Sequence, residues 1–442
     1  MASKLAEASG FTMTGCIAEG RSRRVAYALA HAFHERNFIL PEPKFFGIDT
    51  ENFDDPSAEK EEGKKKKAPA YAGGLVLEPK IGLHDDCIAL LDYKSMYPSI
   101  ICANDICYTT FQNSPEEKNF EKSPPRGILP AVVSDLVKAR RRVKEKMKSE
   151  TDPVRRAEQD AQQIALKIMV NSIYGSLGFA RSAWSFRPMA ELVTRLGRET
   201  LARTAAAIVA EFPGLEIVAG DTDSTMVALK ISDVEIARDL GRRIADFVNS
   251  TRTSSAMEIE LADVFERAAF FGKKKYAALS TMTPERTIVR GLDLVRRDWC
   301  GLVRKISTRV LAHILRSENF AGDPTSTACE LAAAAFSDVK KLDPADDLAI
   351  TKELKKPLGA YAHGGGGKNL QSSSAAGYHV EAARALVAAG IRVDVGDAIS
   401  YIVCKIADGK NKKDDPETFA RIAVPLRLYD PKVRRTNQAF FF

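Results

Sequence analysis

Apolar and polar positions follow different periods in different parts of this chain, and the periods divide it into segments. Between Arg24 and Asn37 the pattern is a mixed helical one, which closes before Pro41 and Pro43. Residues 50–70 are polar and charged and predict a flexible insertion. From Ala72 the chain turns apolar, and the short run Cys87 to Leu91 predicts a buried strand that delivers Asp92 at its end. Pro124, Pro125 and Gly127 mark a break. A helix is predicted from about Pro130 to Lys148: Val133, Leu136, Val143 and Met147 share one side, and Arg140, Lys144 and Lys148 repeat every four residues on one face. Asp152 is a suitable N-cap and Pro153 suits the first helical position, so a second helix starts there and runs towards Tyr174. The pair reads as an antiparallel helical hairpin with a basic inner face.

Residues 185–212 are alanine-rich and helical in pattern. Leu215 to Ala219 and Thr225 to Leu229 read as strands joined by Gly220-Asp221-Thr222-Asp223-Ser224, a hairpin with acidic residues at its tip. Helical and strand segments alternate through about Leu311. The tail is less regular and carries a low-complexity stretch of His363 with four glycines and Ser372 to Ser374. No internal repeat is visible.

A chain of 442 residues predicts two or three lobes. With 45% hydrophobic and 28% charged residues it has a globular balance. No uninterrupted apolar run is long enough to span a bilayer, and the N-terminal ten residues lack the apolar core of a secretory signal, so an intracellular protein without a membrane partner is expected. The seven cysteines then read as free thiols. Only Cys102 and Cys107 lie close together, too few for a structural zinc. The net charge of +7 permits a nucleic-acid partner without demanding one. The charge is clustered: Lys64 to Lys67 reads as a solvated run, whereas Arg140 to Arg142, Lys273 to Lys275 and Arg296-Arg297 sit beside stronger signals.

The candidate chemistry lies in three aspartates. Phosphoryl transfer needs an activated hydroxyl and neutralised phosphate charge, and two divalent metals about 4 Å apart supply both. Magnesium is often held by one or two carboxylates plus substrate phosphates. A strand ending in Asp92 that faces a hairpin carrying Asp221 and Asp223 offers such ligands. An isolated Asp-Thr-Asp is more often a turn former. The surrounding motifs change that reading.

Leu91-Asp92-Tyr93-Lys94-Ser95-Met96-Tyr97-Pro98-Ser99-Ile100 resembles the first catalytic motif of the family B DNA polymerases. Lys167 to Gly175 resembles that family's fingers motif, Gly220 to Ser224 its second catalytic motif, and Lys273 to Tyr276 its primer-gripping motif, all in the family's order. Tyr71 to Lys80, Gly291 to Cys300 and Gly20-Arg21-Ser22 are similar to the alpha type of eukaryotic replicative enzyme within the family. The resemblance implies an α+β right-hand fold with a palm sheet, helical-hairpin fingers and a partial helical thumb. Its expected divisions are an N-terminal segment with a charged insertion (1–70), palm (71–122 and 177–290), fingers (123–176), and partial thumb with an irregular tail (291–442).

The resemblance also implies roles. Asp92 and Asp223 bridge two Mg²⁺ ions, Asp221 assists, and Tyr93 joins the metal site through its backbone. The segment Tyr93 to Met96, with Ser95 and Met96, holds the incoming deoxynucleoside triphosphate, and Tyr97 excludes a 2′-hydroxyl. Arg140, Lys144 and Lys167 neutralise the triphosphate. Lys167, Asn171 and Tyr174 follow i, i+4, i+7 and so share one helix face. Asn171 positions the nucleotide, Tyr174 packs near the new base pair, and Gly175 lets the template approach. Lys274 and Tyr276 contact the primer end, and Arg296 and Arg297 grip the duplex. Expected partners are primer–template DNA or an RNA–DNA hybrid, primase and an accessory subunit, in the nucleus. Ala219 stands where the family usually has tyrosine, and Tyr378-His379-Val380 replaces the family's Pro-His-Val. No exonuclease carboxylate set and no C-terminal cysteine module are visible, so a fragment without proofreading is expected. The alternative is a non-catalytic, nucleic-acid-binding remnant, and a third reading is an RNA-dependent nucleotidyl transferase, which Tyr97 disfavours.

Overall fold

The computed structural model describes residues 1–39, 72–111, 127–251, 256–283, 287–292, 299–316, 343–361, 377–404 and 423–429, with isolated positions among the rest. The chain divides into two units, Met1–Lys80 with Asp85–Glu266, and Ile81–His84 with Arg267–Phe442. The charged insertion, the Pro124-Pro125 break, Arg296, Arg297, the glycine- and serine-rich stretch and the terminal phenylalanines lie outside the described residues.

The first unit opens with helices α1 (Ala2–Ser9), α2 (Met13–Ala18) and α3 (Arg21–His34). Sequence patterning missed α1 and α2, which are too short to show a period. Thr12 caps α2 by accepting from the Gly15 amide at 3.1 Å, a local signal that was legible. Helix α3 starts three residues before the patterned stretch and buries Val25, Leu29 and Phe33, one face at four-residue spacing. Asn37, where the helical pattern was expected to end, has φ 60 and turns the chain away.

Strands β1 (Val76–Leu77), β3 (Ile88–Tyr93), β4 (Glu216–Asp221), β5 (Ser224–Ala228) and the first part of β6 (Ile259–Gly272) form an antiparallel sheet in the order β1-β4-β5-β3-β6. Strand β2 (Gly82–His84) belongs to the second unit. The apolar run in β3 is explained by its central place: Ile88, Ala89 and Leu91 are wholly buried. Burying each such large aliphatic side chain contributes about 1.5–3 kcal/mol.

Around this sheet lie α4 (Met96–Ala103), α5 (Ile128–Ser149), α6 (Pro153–Gly178), α7 (Arg187–Glu211) and α8 (Val234–Ser250). Helices α5 and α6 pack along each other as the expected hairpin. Asp152 caps α6 by accepting from the Val154 amide at 2.8 Å, and Pro153 takes its first position. At the start of α5, the Asp105 carboxylate accepts from the Gly127 amide at 2.8 Å and the Cys107 sulfur from the Leu129 amide at 3.3 Å. Helix α8 lies close on the sheet, and Gly241 permits it: a Cβ there would meet a Leu261 methyl on β6 at 2.8 Å and the Ala89 methyl on β3 at 3.5 Å.

In the second unit β2 pairs with the later part of β6, which continues to β7 (Lys275–Ser280) and β8 (Thr287–Arg290). Helix α9 (Gly301–Arg316) packs here, with Leu311 and Leu315 against Ala269, Ala277 and Leu279. Beyond it, β9 (Ile350–Glu353), α10 (Tyr378–Ala388), β10 (Ala398–Val403) and β11 (Ala423–Pro425) build a three-stranded antiparallel sheet ordered β11-β10-β9 with its own core. An irregular tail was expected there. Strand β10 is short, and its partners lie 20 to 50 residues away beyond polar segments, so no local period announces the sheet.

Candidate active site

Strand β3 ends at the carboxylate expected to do chemistry. Asp92 stands opposite Ser224 on β5 and opposite Glu260 on β6. The β4–β5 hairpin closes through Thr222 and Asp223, with Asp221 paired to Ser224. Its tip is tied to β3 by the Tyr93 amide, which donates to the Asp223 carbonyl at 3.0 Å, and to residue 75 by the Thr222 amide, which donates to the Leu75 carbonyl at 2.8 Å. Thr222 has φ 58, the left-handed region that costs a branched residue energy, and its hydroxyl donates to the Asp221 carboxylate at 2.9 Å.

This arrangement brings Asp92 and Asp223 together. Burial pushes the Asp92 carboxyl up to about 6, with the charges of Asp223 and Glu260 adding to the rise and Lys167 opposing it. A half-buried carboxylate that feels the charge of two others is one that a cation stabilises. The donor set, one aspartate carboxylate on β3 and one in the neighbouring β4–β5 turn, fits Mg²⁺, which takes few protein ligands and keeps room for phosphate oxygens. Among the described residues no group of three or more His, Cys, Asp or Glu side chains is close enough to hold a metal ion by itself.

After Tyr93 the chain turns sharply into α4. Ser95 has φ 55 and occupies the N-cap position without a side-chain cap. The Tyr93 amide is bound within the sheet, and the Lys94 amide donates to the Glu258 carbonyl at 2.8 Å. Backbone donors for an anion therefore begin at Ser95, in the first turn of α4, where N–H groups have no intrahelical acceptor. The Met96 side chain is buried in the core, so only its backbone can face a ligand. The Tyr97 ring lies 4.3 Å from that of Tyr174. Two glycines leave room for it: a Cβ on Gly197 would come within 2.9 Å of Tyr97 Cε1, and one on Gly74 within 2.9 Å of Tyr97 Oη.

The helical hairpin supplies the cations. Lys167 is exposed yet close enough to lower the Asp92 pKa, so α6 reaches the carboxylates. Lys167, Asn171 and Gly175 form an exposed stripe on α6, with Tyr174 half-buried beside it. The stripe lines a groove of about 610 Å³ whose other wall is Gly20, Arg21 and Ser22 at the start of α3. Arg140 on α5 is half-buried and donates to Gln163 at 3.4 Å. Burial lowers its pKa and the charge of Glu260 opposes that. Lys144 is exposed one turn further along.

In the second unit, Lys273, Lys274 and Lys275 are exposed where β6 turns into β7, and Lys274 has φ 61. Tyr276 stands opposite Arg290, its ring 5.6 Å from Phe270. Sequence reasoning missed Glu258, Glu260, Lys94, Gly74 and Gly197. The Lys94 ammonium meets Glu258 at 2.6 Å and Glu260 at 3.1 Å. Burial pulls its pKa down, but hydrogen bonds to Glu258 and Glu260 more than reverse this and hold it above its ordinary value. A Met-Glu-Ile-Glu stretch entering a strand was the available signal for the acidic pair.

Comparison with known proteins identifies the family. The family model for DNA polymerase family B matches residues 11–438. The chain is 36% identical over 414 residues to the DNA polymerase alpha catalytic subunit of Trypanosoma brucei brucei, covering 87% of this chain and 29% of that protein. It is 34% identical over 445 residues to the same subunit of Xenopus laevis, covering 95% and 29%. The chain thus spans under a third of the length of these relatives. A solved family B DNA polymerase from the hyperthermophilic archaeon Pyrobaculum calidifontis superposes with a TM-score of 0.63 at 26% identity, covering 100% of this chain and 51% of that one.

Proposed function

Because this chain belongs to DNA polymerase family B, we propose that it is the catalytic core of a template-directed DNA polymerase that extends a primer 3′ end with deoxynucleotides. The observation that carries this is Asp92 on β3, paired with Ser224 next to the turn residue Asp223, where the charges of both Asp223 and Lys167 act on its carboxyl. Two Mg²⁺ ions, when bound, would lower the pKa of the primer hydroxyl and neutralise charge on the transferred phosphate. Asp92 and Asp223 are the residues to hold them, with Asp221 and the Tyr93 backbone assisting.

The chain's own groups do the rest. The first turn of α4, from Ser95 and Met96 onward, offers backbone donors to the triphosphate. Lys167, Arg140 and Lys144 balance its charge. Tyr97, whose ring fits against the bare backbone of Gly74 and Gly197, stands against a 2′-hydroxyl, which selects deoxynucleotides. Asn171 and Tyr174 border the nascent base pair, and Gly175 presents bare backbone to the template. Lys274 and Tyr276 hold the primer end, with Arg296 and Arg297 on the duplex. In these terms the β-sheet of the first unit is the palm, the α5–α6 hairpin the fingers, and the segment after residue 290 the thumb region. The similarity to alpha-type subunits favours an RNA–DNA hybrid as primer–template, primase and an accessory subunit as partners, and the nucleus as location.

The test is primer extension with Mg²⁺ by the wild type, Asp223→Ala and Tyr97→Ala. Asp223→Ala is expected to lose extension by on the order of 10³-fold, about 4 kcal/mol of transition-state stabilisation. Tyr97→Ala is expected to accept ribonucleotides. DNA binding without extension at any protein concentration would overturn the proposal in favour of a non-catalytic remnant.

A further inference from the structure

The side chains of Lys94 and its two acidic partners have none of the roles above. Strand β6 carries a bulge: Leu90 pairs with Asp263 and Leu91 with Leu261, so Ala262 is the extra residue. Without it Leu261 would stand opposite Asp92. With it Glu260 does, and directly opposed residues project to the same side of a sheet. Lys94 continues the alternation from Asp92, and its amide bonds the Glu258 carbonyl. One face therefore carries Asp92, Lys94, Glu258 and Glu260, with Asp223 beside them. Like charges placed opposite each other repel. Lys94 is the cation set between the two glutamates, at 2.6 and 3.1 Å.

All three side chains are close to half exposed, and such pairs add little to folding stability. Their field is a different matter, because the same face has to admit a polyanion. Glu260 also acts on Arg140, one of the cations assigned to the triphosphate. We propose that Lys94 is a positioning residue for the incoming nucleotide: it holds Glu258 and Glu260 in a charge-compensated cluster, so that neither carboxylate repels the triphosphate nor competes for Arg140. The inference rests on the polymerase reading only for the place of the triphosphate.

The experiment compares the wild type with Lys94→Ala, Lys94→Arg, and Lys94→Ala combined with Glu258→Gln and Glu260→Gln. Two readouts are taken: calorimetric binding of a deoxynucleoside triphosphate with Mg²⁺, and KM and kcat in primer extension. Lys94→Ala is expected to weaken binding and raise KM about five- to tenfold, since two carboxylates lose their counter-charge near an anion. Its kcat should stay within about twofold, the pattern of lost ground-state binding. Lys94→Arg restores affinity, and so does the pair of glutamines, which a merely structural role for Lys94 would not allow. At about 0.5 M salt, where screening shortens to a few ångström, the difference shrinks. Wild-type affinity in Lys94→Ala, or a loss that the glutamines do not repair, overturns the inference while leaving extension intact. Absent extension with this binding pattern preserved overturns the polymerase reading and leaves the inference standing. A wild type that binds no triphosphate overturns both.

Discussion

Two hairpin turns in this protein are equally short and charged oppositely. The β4–β5 turn passes through Thr222 and Asp223, and the β6–β7 turn through Lys273 and Lys274. Tight two-residue turns usually put glycine or asparagine where the backbone turns left-handed. Neither turn does. Thr222, the first loop residue, takes that conformation in the acidic turn, and Lys274, the second, takes it in the basic one. Each strained residue is held from outside. The Thr222 amide is bound by the Leu75 carbonyl, and the Lys274 carbonyl packs where Gly291 has no side chain. A strained non-glycine residue alone does not separate the acidic turn, proposed to be catalytic, from the basic one, proposed to bind the primer. The charge at the tip does, and so does what each tip faces: Asp223 meets the half-buried Asp92, while the lysines stay exposed.

That contrast sets the size of the expected effects. On the proposed reading, loss of the acidic tip removes chemistry, hence the on the order of 10³-fold fall in extension expected for Asp223→Ala. On the same reading, loss of charge at the basic tip removes one phosphate contact. Lys274→Ala is expected to weaken primer–template binding about fivefold at low salt and to flatten the plot of log affinity against log salt by about one unit of slope. An unchanged slope with a large drop in kcat would make the basic turn catalytic and erase the distinction.

Parts of this contrast were legible in the sequence, and the reasons are local. Cys87 to Leu91 announces a central strand by being apolar throughout, and Asp152-Pro153 announces a helix start, so Asp92 and the α5–α6 hairpin could be placed. Lys167, Asn171 and Tyr174 could be put on one face because helical spacing is regular, although the exposed stripe is Lys167, Asn171 and Gly175, with Tyr174 half-buried beside it. Glu260 could not, because its position opposite Asp92 depends on the bulge at Ala262 and on a pairing 168 residues long in sequence. Gly74 and Gly197 were equally silent, since only the Tyr97 ring, distant from both in sequence, gives them a purpose. The β9–β10–β11 sheet was missed because its pairings are non-local.

Burial separates the two turns in their pH response as well. Asp92, beside the acidic turn, has its pKa raised to about 6 from an ordinary 3.8, so the folded protein holds this proton more tightly than the unfolded chain does. The stability from that group is fully present below pH 3.8 and is lost as pH rises to about 6. Asp92→Asn removes the cost. It is expected to match the wild type near pH 4 and to exceed it above pH 6 by about 1 kcal/mol, after discounting the shift for solvent screening at a half-exposed site. Denaturant midpoints across pH in the absence of Mg²⁺ measure this. Equal midpoints at every pH would show that the carboxylates beside the acidic turn do not burden the fold.

The smallest effect probes the backbone the two turns share. A non-glycine residue in the left-handed region costs about 1–2 kcal/mol, and glycine removes that while adding about 0.5–1 kcal/mol of unfolded-chain entropy. Lys274→Gly is therefore expected to stabilise by up to about 1 kcal/mol. Thr222→Gly gains the same relief but loses the hydroxyl that donates to Asp221 at 2.9 Å, a bond worth about 1 kcal/mol, so its net change should be near zero. The difference between the two midpoints isolates that hydrogen bond. If Thr222→Gly stabilises as much as Lys274→Gly, the bond contributes nothing, and Thr222 is retained in its strained conformation for what it does beside Asp221 and Asp223 rather than for the fold.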